Sequence, residues 1–200
     1  MAESAILLCA VPTGLTVQKH GLVRYVFEAS GLTLPLYFAL KGKHGFILTN
    51  ASELVAGLQP LLQKVAMNFD VIICPQSRYP FVSQLASGLP HVLELKKREK
   101  REVCEFAGAT ARWSRAERLS QEKTWAAMGE TFIMNAIKSN QRRHYIPHLF
   151  APVQLDQTAR VLLLDDFIMS GDTLAAMQAA LHRDKCDAFS VFYQPNYRRP

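Results

Sequence analysis

The sequence has few cysteines and no pair of them in a metal-binding spacing. Its four cysteines, among 200 residues, lie far apart and form no Cys-x-x-Cys pair. A chain of this length buries enough apolar surface to fold without disulfides, so this usage indicates a reducing compartment and excludes a zinc ribbon. We therefore expect a cytoplasmic protein.

Long apolar runs, internal repeats and low-complexity tracts are also missing. The apolar stretch at 5–11 is followed at once by Pro12 and then Gly14, which makes it too short for a membrane span or a signal-peptide core. Apolar residues make up 49% of the chain and charged residues 20%, a composition that excludes disordered, collagen-like and coiled-coil proteins. We expect one main hydrophobic core and no membrane partner.

What the sequence has in excess is positive charge. With 23 basic and 17 acidic residues the formal net charge is +6, which favours anionic ligands. The segment 96–118 has eight basic and four acidic residues and so holds four of these six charges. Glu99 and Glu102 interrupt its basic run, so we do not expect nucleic acid as the ligand. A segment rich in like charges has little apolar surface to anchor it, and we predict a flexible basic lid.

The first fifty residues look different from the rest. Short apolar or alternating runs at 5–11, 22–28 and 34–40 are separated by glycine and proline, which is how strands are punctuated. We predict a small, mostly β hood over residues 1–50.

Residues 51–200 alternate between helical spacing and continuous apolar runs, which predicts a doubly wound, mostly parallel α/β sheet. Helices are predicted at 54–66, 81–87, 124–136 and 173–182, a loop at 141–147, and strands at 70–74, 91–95, 160–164 and 188–193. Asp165 and Asp166 are expected to end the third of these strands.

The residues after that strand carry the clearest chemistry. In an open α/β sheet, ligands bind beyond the carboxyl ends of the strands, where Asp165 and Asp166 are expected. Gly171 allows a tight turn, and the amides at the start of the next helix favour a phosphate. Ser170 and Thr173 add hydroxyl donors. The two carboxylates suit ribose hydroxyls, directly or through Mg²⁺, so the motif predicts a phosphorylated ribose as ligand.

The thirteen residues 161–173, VLLLDDFIMSGDT, resemble the phosphoribosyl pyrophosphate motif of type I phosphoribosyltransferases. A weaker similarity to ComF-like phosphoribosyltransferases covers about 36–195 and includes 38–45, FALKGKHG. The resemblance implies the type I phosphoribosyltransferase fold, with Asp165 and Asp166 holding the ribose and, indirectly, Mg²⁺. It assigns binding of the 5′-phosphate to five residues of the turn: Met169, Ser170, Gly171, Asp172 and Thr173.

The same resemblance implies a pyrophosphate loop after the strand at 70–74. This loop comprises Pro75, Gln76, Ser77, Arg78 and Tyr79. As pyrophosphate leaves, the cations Arg78, Lys96, Lys97 and Arg98 are expected to stabilise the separating charges.

Two functions follow from these residues. The first is an enzyme that transfers the phosphoribosyl group of phosphoribosyl pyrophosphate to a nucleobase-like nitrogen nucleophile, with Mg²⁺ as cofactor. The alternative is a non-catalytic regulator or protein-binding, neutralising module built on the same fold. The alternative is favoured by Tyr79 and Pro80, where the ComF pattern has glycine after the arginine, and by Met169, where 6-oxopurine enzymes carry an acidic base. The sequence leaves open the acceptor base, a homodimer and a protein partner.

Overall fold

The computed structural model describes residues 7–9, 14–41, 46–48, 51–77 and 80–195. Within them the chain forms eight strands and six α-helices, with three short 3-10 turns (Met134–Ala136, Ser139–His144, Ile146–His148). In chain order the elements are β1 Leu7–Cys9, β2 Gln18–His20, β3 Val23–Glu28, α1 Leu34–Leu40, β4 Phe46–Leu48, α2 Ala51–Ala66, β5 Val71–Pro75, α3 Phe81–Ala86, β6 Val92–Leu95, α4 Lys100–Thr110, α5 Arg115–Ala127, β7 Val161–Ile168, α6 Asp172–Ala180 and β8 Asp187–Tyr193.

Six of the strands form one mixed sheet in the order β2-β3-β8-β7-β5-β6. The pairs β3·β8, β7·β8 and β5·β7 are parallel, and β2 pairs antiparallel with β3. β1 and β4 form a separate two-stranded parallel sheet. The predicted α/β class and mostly parallel sheet are therefore confirmed, and the order is consistent with a doubly wound fold. In the part of the chain described above, no helix combines the length and the apolar character needed to cross a bilayer.

The chain divides into two compact units. The first contains the described residues within 1–94, 156–169 and 186–195, and the second those within 95–155 and 170–185. The predicted division at residue 50 does not coincide with a boundary of either unit, because β2 and β3 pair into the six-stranded sheet.

The first unit is organised around α2 and the central strands. Leu54, Leu58 and Leu62 recur every four residues on one face of α2 and are fully buried, as expected for a helix that packs one apolar stripe against a sheet. β5 and the first four residues of β7, 161–164, are continuous apolar sequences, and both strands are buried along nearly all of their length, as expected for central strands of a parallel sheet. The helix and the beginnings of both strands are found where the sequence predicts them, whereas β7 continues beyond its predicted end.

Residues 34–40, predicted as a strand, form helix α1 instead. Pro35 lies in the first turn of this helix, where its missing N–H costs nothing and its fixed φ suits the helix. The carbonyl of Ser30 accepts the N–H of Leu34 at 2.9 Å, which starts the turn. Periodicity alone does not distinguish a helix from a strand in a seven-residue apolar run.

The helix predicted at 124–136 is also misplaced, since α5 begins at Arg115 and ends at Ala127. Ser114 and Glu117 form a capping box at its start, and Gly129, with φ +66°, follows its end. These are the residue types that begin and end helices. The predicted loop at 141–147 is made largely of 3-10 turns.

The segment 96–118, predicted as a flexible lid, is mostly helical. Glu99 and Glu102 form a capping box at the start of α4, and Val103 and Ala107 on this helix are fully buried. The expectation that the segment has little apolar surface to anchor it is therefore wrong for α4, because the exposed charged residues of this helix lie on one side and these two apolar residues are buried on the other.

Asp70 and Arg160 join the beginnings of β5 and β7. The backbone N–H of Arg160 donates to Asp70 Oδ2 at 2.7 Å, and Arg160 Nη2 donates to Asp70 Oδ1 at 2.9 Å. The backbone N–H of Asp70 donates in return to the carbonyl of Arg160 at 2.8 Å. The side-chain hydrogen bond from Arg160, followed by its backbone hydrogen bond, lowers the pKa of Asp70 to about 2.

This lowered pKa gives stability that depends on pH. Because the folded pKa lies below the unfolded value of about 3.9, the contribution of Asp70 is complete above that value and is lost as the pH falls towards 2. We expect Asp70→Asn to lower the melting temperature by a constant amount above about pH 5, and this difference to shrink between about pH 4 and pH 2. Melting curves of both proteins over this range test the prediction, and a difference that is independent of pH would contradict it.

Candidate functional site

The two carboxylates of the phosphate motif lie inside strand β7 rather than after it. Asp165 and Asp166 are 6% and 8% exposed. The strand continues to Ile168 because β8 pairs with it over this length, with Asp165 opposite Ser190 and Ile168 opposite Tyr193. The prediction that the two acids end the strand is therefore wrong by two residues.

On its other side, β7 runs parallel to β5, with Ile73 opposite Leu163. β5 ends two residues later, at Pro75, and Asp165 lies two residues after Leu163. Continued in register, this pairing places Asp165 beside the end of β5, where the predicted pyrophosphate loop begins. The structure thus brings the carboxyl end of β5 to the level of the two carboxylates, as the sequence predicts.

Asp166 is already paired with a cation. The ammonium of Lys41 contacts Asp166 Oδ2, and the two side chains are only 8% and 12% exposed. Lys41 directly follows α1, and its ammonium lies 5.7 Å from the centre of the Tyr37 ring. The sequence does not predict a role for Lys41, because a lysine that follows an apolar run gives no indication of the acid with which it forms an ion pair.

The other carboxylate is held by the main chain. Asp165 Oδ1 accepts the backbone N–H of Asp166 at 2.9 Å. Within the described ranges no group of three or more His, Cys, Asp or Glu side chains is placed to hold a metal ion. Since Lys41 contacts one of the two carboxylates, Asp165 and Asp166 do not fit a direct Mg²⁺ site.

The turn after β7 has the backbone shape that its glycine suggests. Gly171 is the residue before α6 and has φ +75°, in the left-handed region that favours glycine. The backbone N–H of Asp172 donates to Ser170 Oγ at 3.4 Å. Met169 is 42% exposed, whereas Asp172 is buried.

In the second unit, Asp172 has a cation partner that the sequence does not reveal. Arg142 Nη1 donates to Asp172 Oδ2 at 3.4 Å, and Arg142 Nε donates to the carbonyl of Ile137 at 3.1 Å. An acid in the first turn of a helix is favoured by the helix dipole. The motif has no basic residue between Arg160 and His182, and two of its acids take their cations from distant parts of the chain.

The predicted pyrophosphate loop is described only in part. Pro75 is buried at the end of β5, Gln76 is exposed and Ser77 is half-buried. Arg78 and Tyr79 lie outside the described residues, so their assignment stays a prediction.

The three other predicted cations lie in the second unit on a stretch that is bonded to residues 149–151. The N–H of Ala151 donates to the carbonyl of Lys96 at 3.1 Å, and the N–H of Arg98 donates to the carbonyl of Leu149 at 3.0 Å. Lys96 and Lys97 have exposed side chains. The guanidinium of Arg98 lies over the Phe106 ring at 4.6 Å, so this arginine is engaged in a cation–π contact.

Two thiols near these elements are unsuited to nucleophilic chemistry. Burial, with a smaller effect of Glu94, raises the pKa of Cys74 to about 11. Burial likewise raises the pKa of Cys104 to about 11. Because the thiolate is the nucleophile, both residues act as small apolar side chains at neutral pH.

Comparison of the sequence with models of protein families finds no match, and no curated protein matches it either.

Proposed function

We propose that this protein binds phosphoribosyl pyrophosphate at the continuous segment 165–173 and transfers its phosphoribosyl group to a nucleobase-like nitrogen nucleophile. The observation that carries the proposal is the placement of Asp165 and Asp166 on a central parallel strand, beside the carboxyl end of β5. The left-handed Gly171 then leads this strand into α6. The type I phosphoribosyltransferase fold and its hood are part of the same proposal.

In this reaction the bond between the anomeric carbon and pyrophosphate breaks, and the pyrophosphate oxygen keeps the electron pair. The nitrogen lone pair forms the new bond at that carbon, and the proton of the nucleophile passes to solvent. Positive charge develops on the ribose, and the carboxylate of Asp165 offsets it. Asp166, whose charge Lys41 already balances, accepts a hydrogen bond from a ribose hydroxyl. The amides of 170–173 and the Ser170 hydroxyl are donors for the 5′-phosphate.

Magnesium enters this proposal with the substrate. Lys41 contacts Asp166 Oδ2, and Mg²⁺ readily uses substrate phosphates as ligands. The magnesium complex of phosphoribosyl pyrophosphate is therefore the proposed donor. Arg78, Lys96, Lys97 and Arg98 stay the predicted partners of its pyrophosphate.

Binding is tested by melting curves with and without phosphoribosyl pyrophosphate and Mg²⁺. A ligand at about 100 times its Kd stabilises the native state by about 2.7 kcal/mol, which corresponds to roughly 5–10 °C for a chain of this size. We expect Asp165→Asn/Asp166→Asn to abolish the shift and Asp184→Asn, at an exposed acid outside the motif, to retain it. A normal shift in the first variant would contradict the assignment.

A second variant separates loss of ligand binding from loss of the fold. In Lys41→Met/Asp166→Leu the buried pair is replaced by apolar side chains, so the carboxylate is lost without leaving a buried charge. This variant is also expected to lose the shift while it keeps a cooperative melting transition.

The rival function, a non-catalytic binding module, is favoured by the exposed Met169, a side chain that can neither take nor give a proton. Release of pyrophosphate in the presence of nucleobases separates the two functions. Turnover supports the transferase. A normal thermal shift with no turnover on any base supports the module.

A further inference from the structure

The second unit contains a cavity of about 440 Å³ beside α4 and α5. Two of its walls are the indole rings of Trp113 and Trp125, the only tryptophans in the chain. Their ring centres are 6.0 Å apart and their planes are inclined by 55°. Cys104 and Gly108 of α4 line the cavity as well. This volume is in the range of small-molecule sites.

The two indole rings are held differently. Trp125 Nε1 donates to the hydroxyl of Tyr145 at 2.8 Å, and this hydroxyl donates to Gln121 Oε1 at 2.7 Å. Trp113 Nε1 is buried without a hydrogen-bond partner among the described residues. The Trp125 ring is therefore anchored by a hydrogen bond, whereas the Trp113 ring is held by its contacts with the rings of Trp125, His144 and Tyr145.

The charged residues around the cavity have an excess of positive charge. Three cations, Lys100, Arg101 and Arg118, face two acids, Glu105 and Glu122. Arg101 and Glu105 pair at 2.7 Å. The ammonium of Lys100 donates to the main-chain carbonyls of Trp125 and Gly129, which are neutral groups and leave its charge in place. The surroundings therefore favour an anionic group.

From these observations we propose that the cavity binds a planar aromatic anion. The aromatic part lies against the two indole rings, where stacking and apolar contact stabilise it. The anionic group lies among the charged residues near Lys100 and Arg118. Burial raises the pKa of Cys104 to about 11, so this thiol is protonated at neutral pH and contributes an apolar side chain to the cavity. This site does not depend on the proposed binding of phosphoribosyl pyrophosphate.

The test uses 8-anilinonaphthalene-1-sulfonate, a fluorescent aromatic anion. Because both tryptophans line the cavity, the probe should quench their emission and bind with one molecule per chain. Gly108→Leu places a side chain in the cavity and should weaken binding at least tenfold. Gly108→Ala is the matched control, because its Cβ would lie 3.7 Å from Trp125 Cη2, an ordinary contact. Both substitutions replace a glycine inside α4 by a better helix former, and melting curves confirm that the variants fold.

A second arm tests the charge. Arg118→Ala should weaken binding of the sulfonate several-fold and leave binding of neutral N-phenyl-1-naphthylamine unchanged. Arg115→Ala, at an exposed arginine on the same helix that does not line the cavity, should change neither. Unchanged sulfonate binding in Gly108→Leu overturns the site. Equal losses in Arg118→Ala and Arg115→Ala overturn the preference for an anion. If Gly108→Leu does not fold, the same comparison tests the site, because only Arg118 lines the cavity.

Discussion

Lys41→Met should lower the free energy of unfolding by about 3–5 kcal/mol, because it leaves a buried carboxylate without its cation. The side chains of Lys41 and Asp166 are 8% and 12% exposed, so little water is present to replace the lost partner. For a chain of this size the loss corresponds to a decrease in melting temperature of roughly 10 °C. Urea titrations and melting curves of the two proteins measure it.

The double variant Lys41→Met/Asp166→Leu should recover most of this loss, since buried ion pairs are often replaced by apolar side chains at little cost. Together with the two single variants it completes a double-mutant cycle that isolates the pair. Lys64→Met is the control for loss of a lysine, because Lys64 is exposed in the last turn of α2. If Lys41→Met destabilises the protein no more than Lys64→Met does, the ion pair is not buried in solution.

The central strands and α2 are the parts of the fold that the sequence predicts best. β5 and the first half of β7, 161–164, are continuous apolar runs, and Leu54, Leu58 and Leu62 repeat at helical spacing. These patterns are local: a continuous apolar run is typical of a strand buried on both faces, and the four-residue repeat of leucines is typical of a helix that buries one stripe. Because helices separate these strands in the sequence, parallel pairing is expected, and β5 does pair parallel with β7.

The cation partners of the site could not be predicted in this way. Lys41 and Asp166 are 125 residues apart, and Arg142 and Asp172 are 30 apart. Local sequence patterns carry no information about contacts at such distances, because these depend on how the elements pack. The end of β7 is missed for the same reason, since its last residues are strand only through pairing with β8.

Charge content alone was a poor guide to the segment 96–118. The residues that decide its structure are the capping pairs Glu99 with Glu102 and Ser114 with Glu117, each spaced three apart at the start of a helix. Val103 and Ala107, four residues apart, mark the buried face of the first helix. Both features are present in the sequence and predict helices, whereas the net charge reports only on the exposed side.

Tyr145→Phe is expected to cost about 2–3 kcal/mol, although it removes a single oxygen atom. Tyr145 is fully buried, and its hydroxyl accepts from Trp125 Nε1 and donates to Gln121 Oε1. Burial raises the pKa of Tyr145 to about 12, so the hydroxyl is protonated at neutral pH and makes both bonds. Denaturant titration measures the loss.

The reason for this large effect is that the substitution leaves two groups of the second unit without that partner. In the folded variant neither the indole N–H of Trp125 nor Gln121 Oε1 can bond to the phenyl ring, whereas both bond to water in the unfolded chain. Gln121→Met added to Tyr145→Phe removes one of these two unpaired groups. Gln141, which Gln121 also contacts, is only half-buried, so its amide can bond to solvent instead. We expect this double variant to regain about half of the lost stability. A double variant no more stable than Tyr145→Phe would show that the hydroxyl does not link these side chains. In that case the near-ultraviolet circular dichroism of tryptophan, which reports how Trp125 is held, should be unchanged in the single and the double variant.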